Sequence, residues 1–262
     1  MPDSSAAKTF YNYDKHGKGY SGFRRTDPKI AKIIHSALGP AKTVLNVGAG
    51  TGSYEPEDRI VTAVEPSETM RAQRPAHLTT AVDASAESLP FDDNSFDASM
   101  AILTIHHWPN QKKGLLEMRR VTKGPVVIVT FDNYVKSEFW LYDYAPEIIE
   151  WDRKRFPTIE FITDTLGGNS TVTPVPVTID CRDGIQESFY SRPEAFLNPK
   201  VRKSQSTWSF MPKEIEEKFI KELSRDLESG EWDRKYGEFR TKSFLNSTLR
   251  IITANKNDNT SL

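Results

Sequence analysis

Short apolar runs alternate with helically spaced segments over the first half of the chain. TVLNV (43–47) reads as a buried strand and RIVTAVE (59–65) as a second. LTTAVDA (78–84) is a third and weaker one, FDASMAILT (96–104) a fourth and PVVIVTF (125–131) a fifth. Before the first strand, TDPKIAKIIHSALGP places Ile30, Ile33, Ile34 and Ala37 on one helical face, with Asp27 as cap, Pro28 in the first turn and Gly39 at the end. PSETMRAQRP (66–75) opens a short helix capped by Ser67, and NQKKGLLEMRRV (110–121) is another helix. Strands alternating with helices predict a parallel sheet covered by helices on both faces.

After Asp132 the pattern changes. YVKSEFWLYDYAPEIIEWDRKRF is aromatic-rich and helical in spacing. TVTPVPVTIDC (171–181) is strand-like, but Pro174 and Pro176 confine it to a sheet edge or an irregular ribbon. PKEIEEKFIKELSRDLESG (212–230) repeats Ile215, Phe219, Leu223 and Leu227 in four-residue steps, and STLRIITA (247–254) is a last strand. The expected organisation is an α/β core of residues 1–133 plus 247–262, in which 1–26 form a lid-like arm. Residues 134–246 would be a mainly helical cap inserted before the last strand, over the carboxyl edge of the sheet.

Composition narrows the function classes. The 262 residues are 37% hydrophobic, with mean hydropathy −0.56 and no run near the roughly 20 apolar residues of a membrane helix. The first twenty residues lack the apolar core of a signal peptide. Cys181 is the single cysteine, which excludes an internal disulfide and a thiolate metal cluster, so a reducing, cytoplasmic setting is expected. His16, His35 and His77 are scattered, so no metal site is expected. A formal charge of −1 gives no electrostatic footprint for nucleic acid, and the short basic runs RRV (119–121) and RKR (153–155) read as solvated helix faces.

The loop GAGTG follows the first strand. Gly48, Gly50 and Gly52 let the backbone turn and approach a ligand closely, and Glu65 ends the next strand, where a carboxylate can accept both hydrogen bonds of a ribose diol. A dinucleotide fingerprint has glycines spaced G-x-G-x-x-G ahead of a long helix that seats pyrophosphate. Here SYEPEDR (53–59) is short and proline-broken, and Glu65 comes fifteen positions after Gly50. A ligand with ribose and adenine but no pyrophosphate fits better.

VLNVGAGTGSYE, VTAVEPSETM, ASAESLPFDDNSFDAS and AILTIHHW together resemble the motifs of class I S-adenosylmethionine-dependent methyltransferases, in their type 11 small-molecule branch, over residues 40–132. The resemblance implies a Rossmann-like seven-stranded sheet with a reversed last strand, matching STLRIITA. It implies S-adenosylmethionine as methyl donor, S-adenosylhomocysteine as product, and a small-molecule acceptor whose reacting atom (O, N or C) is open. Carried onto this chain, Gly48, Gly50 and Gly52 line the methionine and ribose portions and Glu65 holds the ribose. Pro66, Ser67 and Met70 flank the adenine, with Ser85, Ala86, Glu87 and Ala101 also on the cofactor. The family usually has Asp where Ser85 stands, with Asp83 a nearby alternative, and commonly has Asp where Asn46 stands. An arm containing Tyr11, Tyr13, Tyr20, Arg24 and Arg25 would fold over the cofactor. Tyr20 would then pack near the sulfonium and Arg25 would pair with the methionine carboxylate. His106, ahead of His107, is the candidate base, if a base is needed at all. Trp140, Tyr142, Asp143, Tyr144 and Trp208 are available to wall an acceptor pocket. The expected partners are a small molecule, with neither nucleic acid nor membrane, and the expected state is monomer or homodimer. Three alternatives stay open: a non-catalytic module that binds S-adenosylmethionine or S-adenosylhomocysteine, an NAD-dependent oxidoreductase, and a methyltransferase acting on tRNA or protein.

Overall fold

The computed structural model describes residues 13–16 and 22–256. In chain order the first half contains α1 (Tyr13–His16), α2 (Pro28–Ala37), β1 (Thr43–Val47), β2 (Ile60–Val64), α3 (Glu68–Arg71), β3 (Ala98–Ile102), α4 (Gln111–Val121) and β4 (Val126–Phe131). There follow α5 (Leu141–Tyr144), α6 (Glu147–Arg155), α7 (Ile159–Leu166), β5 (Asn169–Pro174), β6 (Val177–Thr178), α8 (Pro199–Lys203), α9 (Lys213–Glu228), α10 (Glu231–Tyr236), β7 (Phe244–Leu245) and β8 (Leu249–Asn255).

The central sheet runs β2-β1-β3-β4-β8-β5. The first four strands are parallel, and β8 lies antiparallel between β4 and β5. This is the expected sheet with its reversed last strand, but with six strands rather than seven. The predicted third strand shrinks to one parallel bridge, Val64 with Val82, held by Val82 N–H to Ala63 O and Glu65 N–H to Val82 O. Thr79 and Thr80 beside it are exposed, so no apolar face holds the rest of that segment on the sheet.

Caps fall where the sequence places them. Asp27 accepts from the N–H groups of Lys29 and Ile30, and Ser67 from that of Met70. Pleat alternation divides the core. Leu45, Val47, Ala101, Val126 and Ile128 face a layer that includes Leu115 and Met118 of α4 and Ile162 and Leu166 of α7. Val44, Met100, Val127 and Ile251 face the other layer, where the cluster runs without a break into Trp140, Phe196, Phe219 and Trp232. Trp140 and Trp232 meet edge to face at 5.5 Å, and Trp140 Nε1 donates to Tyr190 O at 2.7 Å.

The cap boundaries therefore need correction. Residues 159–174, expected in the cap, return to the core as α7 and the edge strand β5. The rest of 134–246 shares the sheet's own hydrophobic cluster. No helix among the described residues is long and apolar enough to cross a membrane.

Candidate functional site

The loop after β1 turns back under β2: the N–H groups of Gly48 and Ala49 both donate to Val64 O at 2.9 Å. Gly48 and Gly50 have φ of 67° and 52°, in the region that favours glycine. Gly48 is also packed, since a Cβ there would lie 2.2 Å from Thr104 Oγ1. Glu65, buried at the end of β2, accepts from Gly50 N–H at 2.8 Å and Ser67 N–H at 2.9 Å. Burial pushes its carboxyl above the usual range, while these two donors and Arg71 and Arg74 pull the other way.

Asn46 connects the floor of the loop to a buried ion pair. Its Nδ2 donates to Glu55 Oε1 at 2.9 Å, and Glu55 meets Arg74 at 2.9 Å with both side chains almost fully buried. Because the amide nitrogen must face the carboxylate, Oδ1 faces the other way. It is buried without a partner in the wall of a cavity that Gly48, Gly50, Glu65 and Met70 also line. That cavity continues into a cleft lined by Pro66, Ser67, Ser85, Ala86, Glu87 and Trp108.

Not every predicted residue reaches this cleft. Ala101 is fully buried in the cluster beneath the sheet, because the pleat turns it to the face opposite Met100. Arg25 is exposed and, with Gly52, lines a separate outer hollow. Its neighbour Arg24 takes the inner position, with Nε donating to Asp183 Oδ1 at 2.6 Å and Nη2 to Oδ2 at 3.3 Å. Tyr54, with φ of 67°, donates its hydroxyl to the same carboxylate at 2.8 Å. Asp83 pairs with Arg71 at 3.0 Å on the surface, leaving Ser85 to the cleft. Tyr20 and Tyr11 lie outside the described residues.

A second cavity begins beyond Leu103 and is closed by cap residues, among them Tyr142, Asp152, Phe156, Gln186, Glu187 and Thr207. Tyr13, Arg24, Leu103 and His107 line both this cavity and the glycine-loop cavity. Tyr13 Oη lies 2.9 Å from His107 Nε2 in a hydrogen bond at that junction. His106 lines only the second cavity and stacks on Phe156 with centroids 3.9 Å apart. Burial first, then neighbouring positive charge, holds both imidazoles well below the ordinary histidine range, so both are neutral at pH 7. Asp152 accepts from Thr207 Oγ1 at 2.5 Å, and burial lifts its carboxyl to about 6. Glu187 accepts from Thr248 N–H at 3.0 Å and Oγ1 at 3.1 Å, and burial lifts it to about 7.

Tyr54, Asp183, Asp152 and Glu187 were not anticipated from sequence. Asp152 alone carries a local signal: it lies four residues after Ile148 on the buried face of α6, which is an apolar position occupied by a carboxylate.

The family model described as "Methyltransferase domain" matches residues 45–130. A crystal structure from Anabaena variabilis, assigned as a methyltransferase from an antibiotic biosynthesis pathway, is 31% identical. The match covers 89% of this chain and 99% of that one with a TM-score of 0.82. A demethylmenaquinone methyltransferase of Renibacterium salmoninarum is 37% identical over 114 residues, covering 39% of this chain and 47% of the relative. A chloroplastic 2-methyl-6-phytyl-1,4-hydroquinone methyltransferase of Oryza sativa is 28% identical over 130 residues, covering 42% of this chain and 37% of the relative. The chain thus spans less than half the length of these two curated relatives.

Proposed function

The chain belongs to the class I S-adenosylmethionine-dependent methyltransferases, and on that premise we propose that it methylates a small molecule held in the cavity beneath residues 134–207. S-adenosylmethionine supplies a methyl group already activated by its sulfonium, so the protein's tasks are alignment, exclusion of water and, where the acceptor is protonated, removal of a proton. Gly48 and Gly50 bring bare backbone to the ligand. Glu65 keeps free lone pairs for a ribose diol beyond the two N–H groups it already serves. Pro66, Ser67, Ser85, Ala86 and Glu87 take the adenine end.

The observation that carries the reading is the buried, unpartnered Asn46 Oδ1 in the wall of the glycine-loop cavity. A buried acceptor without a donor costs about 1–3 kcal/mol, and the methionine ammonium is a donor of the right kind. We assign the methionine carboxylate to the Arg24 side of the cavity rather than to Arg25. Tyr13 and His107 close the junction against water. His106 forms part of the acceptor wall: a histidine held so far below its ordinary range binds a proton too weakly to be a good base.

The quinone-related acceptors in the relatives' names do not carry over. The family match ends at residue 130, and most of the acceptor wall lies beyond it. Calorimetric titration with S-adenosylmethionine, S-adenosylhomocysteine and NAD tests the proposal. Saturable binding of the first two and none of NAD is expected. Binding of NAD alone overturns it, and binding of none of the three favours a degenerate site.

A further inference from the structure

Two buried carboxylates face the acceptor cavity, and Glu187 has no ion-pair partner among the described residues while Asp152 has only a long one. Asp152 has Arg155 no nearer than 3.8 Å. Glu187, 1% exposed, forms no ion pair among the described residues. Among the described residues no lysine lines the cavity, and the arginine that does, Arg24, is held by Asp183. The remaining walls include Phe131, Tyr142 and Phe156, and Tyr142 lies close enough to both carboxylates to feel their charge. A buried carboxylate without a counter-ion, as at Glu187, is costly, and the usual remedy is a paired cation. Aromatic faces attract the same kind of group. A neutral hydroxyl would satisfy a hydrogen bond but leave the charge uncompensated, and an anion would be repelled.

Resting on the methyltransferase reading, we propose that the acceptor is a small amine, bound as its ammonium between Asp152 and Glu187 against the aromatic wall, with Glu187 taking the proton that frees the nitrogen. One N–H bond breaks and its proton passes to a Glu187 oxygen. The nitrogen lone pair forms the new bond to the methyl carbon, and the pair of the broken carbon–sulfur bond stays with sulfur. Glu187 then returns the proton to solvent as the product leaves. The position of Glu187 near 7 suits this exchange, because an acid–base group works best when its pKa lies near the working pH. Among the described residues the other charged or titratable groups around the pair are Tyr13, Tyr142, His106, His107, Arg24, Arg155 and, behind Glu187, Arg250. Both histidines are neutral, so neither competes for the proton.

The test is calorimetry at neutral pH on the full chain saturated with S-adenosylhomocysteine. The probes are butylamine, cyclohexylamine and phenethylamine against butanol, cyclohexanol and phenethyl alcohol, each in phosphate and in HEPES. At least one amine should bind roughly tenfold or more tightly than its matched alcohol. It should also release protons, seen as a heat that differs between the buffers, because an ammonium favours the ionised carboxylates. Glu187→Gln should abolish the release and weaken the amine by a similar factor. Should that variant fail to fold, Asp152→Asn should weaken the amine and leave its matched alcohol unchanged, while the proton release from Glu187 persists; equal weakening of both would overturn the assignment. Alcohols that match the amines, or no amine binding to protein that holds S-adenosylhomocysteine, would overturn the amine assignment alone. Failure to bind S-adenosylhomocysteine would overturn the methyltransferase reading and this inference with it.

Discussion

Glu187→Gln also makes a prediction about stability that needs no ligand. Burial lifts the Glu187 carboxyl from its usual 4.5 to about 7. Each pH unit between those values is worth about 1.4 kcal/mol, so the native state carries a penalty of about 3 kcal/mol for holding this carboxylate ionised. The sign follows from the raised value. Below pH 4.5 the group is neutral in both states and the penalty is absent. It grows as pH rises and is complete above pH 7. His106 and His107 tilt the profile the other way: held neutral by burial, they cost stability as pH falls below 6.5, where the unfolded chain takes up protons. The wild-type curve therefore mixes opposing slopes, whereas the difference between wild type and variant isolates Glu187. Gln keeps an oxygen for the Thr248 donors, so little else changes. Urea denaturation followed by tryptophan fluorescence, with Trp140 and Trp232 buried in the cap, gives both stabilities by linear extrapolation. The variant should gain about 3 kcal/mol on the wild type between pH 4.5 and pH 8. Parallel curves over that range would refute the claim that Glu187 is buried without a counter-ion.

Three further outcomes follow from the cofactor side. Glu65→Ala should weaken S-adenosylhomocysteine by about 1.5–3 kcal/mol, the scale of a hydrogen bond to a charged group. Unchanged calorimetric affinity would remove Glu65 from the ribose. Gly48→Ala should cost about 1–2 kcal/mol from backbone handedness alone, and more from the contact with Thr104. Gly48→Ala combined with Thr104→Gly should recover the second part and not the first, and equal denaturation midpoints for single and double variants would contradict the packing argument. His106→Phe should keep cofactor affinity and change turnover little, since an aromatic ring still stacks on Phe156; loss of turnover rescued at high pH would return the base role to His106.

The parts of the fold written in short-range pattern were legible. β1, β3 and β4 are mainly apolar runs buried on both faces, β2 is an apolar run buried at its carboxyl end, and the glycine loop with Glu65 lies within one strand–loop–strand unit. Errors arose where structure depends on distant partners. The LTTAVDA segment has strand-forming residues but only an outer edge to sit on, and Val82 alone pairs. Met100 and Ala101 look equivalent in sequence, yet the pleat sends them to opposite faces. Arg24 and Arg25 lie in a segment without periodicity. Which of them turns inward is decided by Asp183, 159 positions away. Glu187 carries no local signal, and the spacing from Ile148 marks Asp152 only as buried; the partners that fix them, Thr248 and Thr207, arrive from other parts of the chain.

The placement of β8 has a consequence for how the protein is made. A strand that joins its neighbours on both sides but is translated after both leaves a gap in the nascent sheet. While the ribosome is still reading the cap, β4 ends as an open edge, and β5 has nothing to pair with on its inner side. Each is an unprotected template for another chain. Pro174 shortens β5's exposure, but Val126–Phe131 has no such guard. Productive folding is thus timed by the arrival of Leu249–Asn255, and a chaperone that shields β4 until then would raise the yield of native protein without touching its final stability.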